Sequence, residues 1–288
     1  MHILFIGTAE LACPCLEAAH RLAGHEIIGV ITQPDKPKGR SLQLSPPPVK
    51  VTAEKLGLPV SQPVKIREAV EAIRAQQPDL IVVVAYGQIL PKALLEIPVR
   101  GCINVHTSLL PRWRGASPIQ SAILAGDAET GVTTMFMDEQ LDHGDIILQR
   151  RTPIRLDDTG ATLHDRLATL GAELLAETLT LTDWPHRQQD ETQVTHARKF
   201  AKEDGRIDWT KSAVEIDRQI RAFNPWPGAF TDRDGTLLKI WKVELVSSTT
   251  TGADIVTTGT GALCLLEVQP AGGKRMSFAA FARGRKLS

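Results

Sequence analysis

The sequence predicts a two-domain α/β protein: an open, mostly parallel sheet flanked by helices over residues 1–182, a linker over 183–205, and a smaller β-barrel domain over 206–288. Three observations predict it. All-apolar runs at residues 3–6, 27–31 and 80–85 are strands buried on both faces, and amphipathic segments between them return the chain for parallel pairing. The 288 residues exceed the roughly 50 to 250 that one domain usually holds. Beyond residue 205 the style changes to short strands around turns.

The elements follow in order. The strand at 3–6 turns at Gly7 and Thr8 into an amphipathic helix over 11–22 that stops near Gly24, and the strand at 27–31 completes a strand-helix-strand unit. No G-x-G-x-x-G spans that turn, so a dinucleotide is not implied. Residues 33–48 hold Pro34, Pro37, Pro46, Pro47 and Pro48 beside Lys36, Lys38 and Arg40, which predicts an exposed basic loop, either a solvated connector or a ligand contact. Helices are expected over 49–56 and 66–76. The strand at 80–85 opens into Tyr86, Gly87, Gln88, Ile89, Leu90 and Pro91, a loop at the carboxyl end of a central strand, where open parallel sheets bind ligands. A helix over 119–124, strands over 132–136 and 146–148, and a long amphipathic helix over 163–181 close the first domain. The polar, weakly periodic stretch that follows reads as the linker. In the second domain a helix over 213–223 is broken by Asn224-Pro225-Trp226-Pro227-Gly228, and strands at 229–231 and 237–241 flank Asp234-Gly235 as a hairpin.

Chemistry concentrates between Cys102 and Pro118. Ile103 and Val105 alternate with Asn104 and His106, so a strand here puts an amide and an imidazole side by side on one face. An amide donor beside a group that gives or takes a proton near neutral pH suits acyl transfer, in which an oxyanion forms while a proton moves. Downstream, Met137-Asp138-Glu139-Gln140-Leu141-Asp142-His143-Gly144-Asp145 sets carboxylates in a turn between two apolar runs. One of them could hold the His106 ring in a single tautomer.

Composition excludes more than it selects. A formal net charge of +0, with 42% hydrophobic and 23% charged residues, is that of an ordinary globular protein. No apolar run approaches the roughly 20 residues that cross a bilayer, and the first residues have neither the basic start nor the length of a signal peptide. The expectation is a cytoplasmic monomer. Cys13, Cys15, Cys102 and Cys264 are too few and scattered for a disulfide framework or a zinc site, and read as reduced packing thiols. From Arg206 onward 12 basic residues face 8 acidic ones, a balance of +4, and Lys274, Arg275, Arg283, Arg285 and Lys286 cluster without an acid among them. Such a face is a solvated tail or a polyanion surface.

Asn104, His106, Ser108-Leu109-Leu110-Pro111 and Leu141-Asp142-x-Gly, with Asp142 following His106 by 36 positions, resemble the signature of the folate-dependent formyltransferases. Gln33-Pro34-Asp35-x-Pro37-x-Gly39-Arg40, Arg206-Ile207-Asp208-Trp209 and the run from Ile220 to Gly228 resemble the members of that family that act on methionyl initiator tRNA. The resemblance implies a Rossmann-like catalytic sheet, an OB-like C-terminal barrel, and formyl transfer from 10-formyltetrahydrofolate without a metal. It implies Asn104, His106 and Asp142 as the catalytic trio. Folate contacts are implied at Tyr86, Gly87, Gln88, Ile89, Leu90, Ser108, Leu109, Leu110, Pro111, Asp138 and Leu141. Lys36, Lys38, Arg40, Arg112, Trp113 and Arg114 are implied to meet the tRNA. Ala9 and Leu11 stand where the tRNA enzymes usually carry Pro and Phe, and the segment after Val246 is short enough for a barrel strand to be missing. Two alternatives stay open: a sister enzyme that formylates a small amine such as a nucleotide sugar or glycinamide ribonucleotide, and a homologue that binds tRNA or folate without chemistry.

Overall fold

The structure, a computed structural model, describes residues 1–38, 43–233 and 235–284. The chain divides into two compact units: Met1–Pro118 with Thr130–Pro153 and His164–Ala197, and Ile119–Glu129 with Ile154–Leu163 and Arg198–Ser288.

The first unit is built on seven strands: β1 (His2–Gly7), β2 (Glu26–Ile31), β3 (Val60–Ser61), β4 (Leu80–Val84), β5 (Cys102–His106), β6 (Glu129–Phe136) and β7 (Ile146–Pro153). Their order is β7-β6-β5-β4-β1-β2-β3. The pairs β1–β2, β1–β4, β2–β3 and β4–β5 are parallel, and β6 is antiparallel to β5. Burial explains the apolar runs, since every residue of β4 is buried and Ile3 to Ile6 of β1 are at most 1% exposed. Strand order reverses at β1, which opens a crevice outside the carboxyl ends of β1 and β4. There Thr8 donates its hydroxyl to the Tyr86 carbonyl at 3.0 Å.

Strand β5 divides the chemistry from the packing. Ile103 and Val105 are buried, and the helix Gly160–Thr180 lies against Val105 closely enough that a Cβ on Gly171 would come within 3.2 Å of it. A larger residue there would have to push the Val105 side chain aside. Thr178 of this helix shares a 2.9 Å hydroxyl bond with Thr134 of β6. Pleating sends Asn104 and His106 to the opposite face of β5.

Local structure departs from the sequence expectation at several places. Part of the basic loop forms a small hairpin, with Lys36–Lys38 antiparallel to Gln43–Ser45; Arg40 and the side chain of Lys38 lie outside the described residues. The helix expected over 66–76 begins as a 3-10 turn, Ile66–Ala69, before Val70–Gln76. Much of the stretch expected as linker is folded into the first unit: Ile146 and Arg187 exchange backbone hydrogen bonds at 2.8 and 3.1 Å, and His196–Ala197 runs parallel to Arg114–Gly115. Its polar side chains bond to backbone groups of that unit, so low apolar periodicity did not mean a free connector.

In the second unit the helix Ala213–Ala222 starts at a capping box, Ser212 Oγ accepting from the Glu215 amide at 3.3 Å and Glu215 Oε2 accepting from the Ser212 amide at 3.0 Å. Its apolar stripe, Ala213, Ile216 and Ile220, packs with Leu238, Ile240, Leu263, Leu265 and Val268. These come from an antiparallel sheet of β8 (Ala229–Arg233), β9 (Thr236–Val246), β10 (Ile255–Thr257), β11 (Ala262–Pro270) and β12 (Met276–Ser277), ordered β8-β9-β11-β10 with β12 also on β11. The segment from Arg206 to Ser212 bridges to Phe230 at one end and Thr260 at the other, which ties the two flanks of the sheet together. The sequence predicted one helix here. A second, Phe278–Gly284, follows β12, with Ser277 Oγ accepting from the Ala280 amide and Phe278 and Phe281 packed in the core. Asp234 of the expected hairpin turn, Arg285 and Lys286 lie outside the described residues.

All four cysteines are free thiols. Burial pushes Cys15 and Cys102 up to about 12, so they stay protonated as packing groups. Among the described residues no helix is long and apolar enough to cross a membrane.

Candidate active site

The three side chains singled out on β5 and in the 137–145 turn converge. Asn104 Nδ2 donates to Asp142 Oδ1 at 3.4 Å, and His106 Nδ1 lies 3.7 Å from Asp142 Oδ2. Asp142 Oδ2 also accepts from the Gly115 amide at 2.8 Å. His106 and Asp142 are both largely withdrawn from water, their side chains 7% and 12% exposed. An ionic or hydrogen-bonding step there is weakly screened.

The tautomer of His106 is set by something the sequence did not indicate. Its Nε2 lies 2.9 Å from the carbonyl of Trp113. A carbonyl only accepts, so Nε2 carries a hydrogen and Nδ1 is the ring nitrogen that faces Asp142. The orienting role expected of the carboxylate therefore belongs to a backbone oxygen. Asp142 is left opposite the nitrogen that would take up a proton. Both residues that frame the ring have left-handed backbones, Trp113 at φ 63 and Asp142 at φ 50. Such conformations in non-glycine residues cost about 1–3 kcal/mol each and persist where surrounding bonds impose them.

Those bonds come from the 113–116 loop and from residues 189–197. Trp113 donates its amide to Thr195 Oγ1 at 2.9 Å, Arg114 its amide to the Thr195 carbonyl at 2.9 Å, and Ala116 its amide to the Ala197 carbonyl at 2.8 Å. Arg114 is buried; its guanidinium donates Nη2 to Glu191 Oε1 at 2.6 Å, Nη1 to Glu191 Oε2 at 3.3 Å and Nε to Gln189 Oε1 at 3.0 Å. The donation holds the Glu191 carboxyl below the usual carboxylate range. This corrects the sequence expectation for Arg114: a cation buried and committed to three acceptors is not presented to an external polyanion. Gln189, Glu191 and Thr195 were missed because polar residues in an aperiodic stretch carry no spacing that marks a site.

The expected folate contacts sort by what their side chains already do. Tyr86 and Leu90 are core residues packed with Ile66, Ile73 and Leu94. The Tyr86 hydroxyl is buried without a partner among the described residues, and burial raises its phenol. Gln88 ties its loop to the 64–66 segment, accepting from the Ile66 amide and donating to the Val64 carbonyl, each at 3.0 Å. Ser108 is fully buried and donates to the Arg112 carbonyl at 2.6 Å, Leu110 packs with Met135 and Ile146, and the Leu110–Pro111 bond is cis. Leu109 is half-buried beside Gly131. Asp138 Oδ2 lies 2.6 Å from His143 Nδ1 and braces the turn. The side chains of Tyr86, Gln88, Leu90, Ser108, Leu110 and Asp138 thus serve the fold, which leaves backbone groups as the contacts that the resemblance implies for the 86–91 loop.

Gly87, Ile89 and Leu141 remain as open surface. Gly87 has φ +83, and a Cβ there would meet Gln33 Nε2 at 2.9 Å. Ile89 is 85% and Leu141 63% exposed, and their loops are tied by the ion pair of Lys92 with Glu139 at 2.7 Å. Lys36 is exposed and donates to the Gln33 side chain, and Arg112 is exposed with its guanidinium 5.3 Å from the Trp113 ring centre.

The model of the formyl transferase family matches residues 1–179, and that of its C-terminal domain matches residues 199–286. A methionyl-tRNA formyltransferase of Citrifermentans bemidjiense is 50% identical over 301 aligned residues, spanning 100% of this chain and 94% of its own. One from Geobacter sulfurreducens is 46% identical, spanning 100% of this chain and 95% of its own. Among solved structures, a methionyl-tRNA formyltransferase of Clostridium thermocellum superposes with a TM-score of 0.62 at 18% identity, over 85% of this chain and 94% of that one. An N-formyltransferase of Helicobacter canadensis superposes with a TM-score of 0.69 at 19% identity, over 91% and 98%. At those identities the structural likeness speaks for the fold alone.

Proposed function

This chain belongs to the formyl transferase family, and on that premise we propose that it moves a formyl group from 10-formyltetrahydrofolate to the α-amino group of methionine on initiator tRNA. The observation that carries the reading is the convergence of Asn104 and His106, at 3.4 and 3.7 Å, on the carboxylate of Asp142 at the rim of the sheet. The folate supplies the formyl carbon. As the amine nitrogen bonds to that carbon, its oxygen takes on negative charge, and Asn104 Nδ2 is the amide donor available to it. Its bond to Asp142, at 3.4 Å, is long and readily exchanged for a stronger one. The proton lost by the amine passes to the His106–Asp142 pair, His106 holding it at Nδ1 against the carboxylate. The same pair returns it to the departing folate nitrogen as the carbon–nitrogen bond breaks. Trp113 and Gly115 keep both groups in place by backbone bonds, so little reorganisation accompanies the step.

The tRNA reading is supported by cations on each unit. Lys36 on the hairpin and Arg112, over the Trp113 ring, are exposed in the first unit. In the second, Lys239 and Arg275 lie 5.1 and 5.0 Å from the Trp241 ring centre, a combination that holds a phosphate backbone and offers a stacking surface. The test is formyl transfer to methionyl initiator tRNA beside transfer to a nucleotide-linked amino sugar and to glycinamide ribonucleotide. Faster transfer to either small amine would sink the tRNA reading, and folate binding with no transfer to any of the three would sink the enzymatic one.

A further inference from the structure

The amide of Gln189 makes three hydrogen bonds, two to the turn that carries Asp142 and one to the loop that carries Gly115. Its Nε2 donates to the carbonyl of Asp142 at 2.9 Å and to the carbonyl of Gly144 at 2.8 Å. Its Oε1 accepts from Arg114 Nε at 3.0 Å. Only one orientation of the amide serves these partners, because carbonyls accept and the guanidinium donates. Arg114 in turn sits between the two residues whose backbones hold the chemistry, Trp113 with its carbonyl on His106 and Gly115 with its amide on Asp142.

We infer that Gln189 is a positioning residue, clamping the backbone of Asp142 in its left-handed conformation and coupling it through Arg114 to the loop that aligns His106. At φ 50 Asp142 sits in a conformation that costs an L-residue free energy, and the Gln189 bond to its main-chain carbonyl comes from outside its turn. If the turn relaxed, the carboxylate would leave the Gly115 amide and the face of His106, while the exposed cations proposed to meet the tRNA, Lys36 and Arg112, lie outside that turn. The clamp therefore acts on the chemical step and not on tRNA binding.

The experiment compares the full-length chain with Gln189→Ala and Gln189→Glu. Glutamate keeps the size and the acceptor for Arg114 but sets a carboxylate oxygen against two carbonyls. Transfer to methionyl initiator tRNA should show kcat lowered about 10- to 100-fold in both variants, with the KM for the tRNA held within about twofold. The rate readout rests on the proposed reaction, so the backbone amide resonance of Gly115 is followed as well, and it should shift in Gln189→Glu. If the wild-type chain fails to formylate the tRNA, that reading falls while the Gly115 resonance still decides the clamp. Near-wild-type kcat in Gln189→Glu, a loss confined to KM, or an unmoved Gly115 resonance would each overturn the inference. Should Gln189→Ala not fold, Gln189→Glu carries both measurements.

Discussion

Arg114 in the first unit and Arg275 in the second each face a glutamate at almost the same distance, Arg114 with Glu191 at 2.6 Å and Arg275 with Glu267 at 2.7 Å. Their surroundings differ. The Arg114 side chain is 6% exposed and Arg275 is 43% exposed. A desolvated guanidinium must keep its acceptors, because an uncompensated buried charge is expensive. An exposed one exchanges its partner for water at little cost, so Arg275, lying over Trp241, stays available to an incoming anion. Distance alone says nothing about which cation is architecture and which is a handle. Burial does.

The largest expected effect lies next to the buried member of this pair. Asn104→Ala should lower formyl transfer about 100- to 1000-fold while leaving the thermal midpoint within a degree or so, since one half-buried amide is lost and no core contact. Retained turnover would remove the oxyanion role. Arg114→Ala comes next. It frees Gln189 Oε1 and Glu191 together and should lower unfolding free energy by about 2–3 kcal/mol, below the full range for breaking a buried pair because Glu191 itself keeps water. Arg275→Ala, measured in the same denaturant titration, should change stability by less than about 1 kcal/mol and weaken tRNA binding instead. Equal destabilisation by the two substitutions would break the comparison.

How much of this was legible in sequence follows the same division. The parallel sheet was readable because burial on both faces writes itself as unbroken apolar runs such as Leu80 to Val84. Period-2 alternation on β5 placed Asn104 and His106 correctly, and the resemblance supplied Asp142. What was not readable is whatever backbone groups do. The carbonyl of Trp113 that sets the His106 tautomer and the amide of Gly115 on Asp142 belong to no residue type. Gln189 and Glu191 looked like linker, because a polar side chain bonded to a buried loop and one bonded to water have the same composition. Arg114 looked like Lys36 for the same reason, a cation near prolines, and only burial separates them.

Arg198 and Asp204 in the second unit give a third, intermediate case, with side chains 64% and 21% exposed. Arg198, donating to Asp204, is the main reason that carboxyl is held down to about 2, with the Ala201 amide assisting at 2.7 Å. A depressed acid contributes stability that is fully present above its unfolded value, about 3.9, and is lost as pH falls through its folded value near 2. Because the arginine is mostly in water, the contribution should not exceed about 1 kcal/mol. Asp204→Asn keeps an oxygen for the Ala201 amide and removes only the charge. Unfolding free energies of the parent and this variant should therefore differ by up to about 1 kcal/mol near pH 6, and the gap should close as pH approaches 2. A gap that stayed constant with pH would mean that geometry around the 202–205 turn, not the ion pair, supplies the stability.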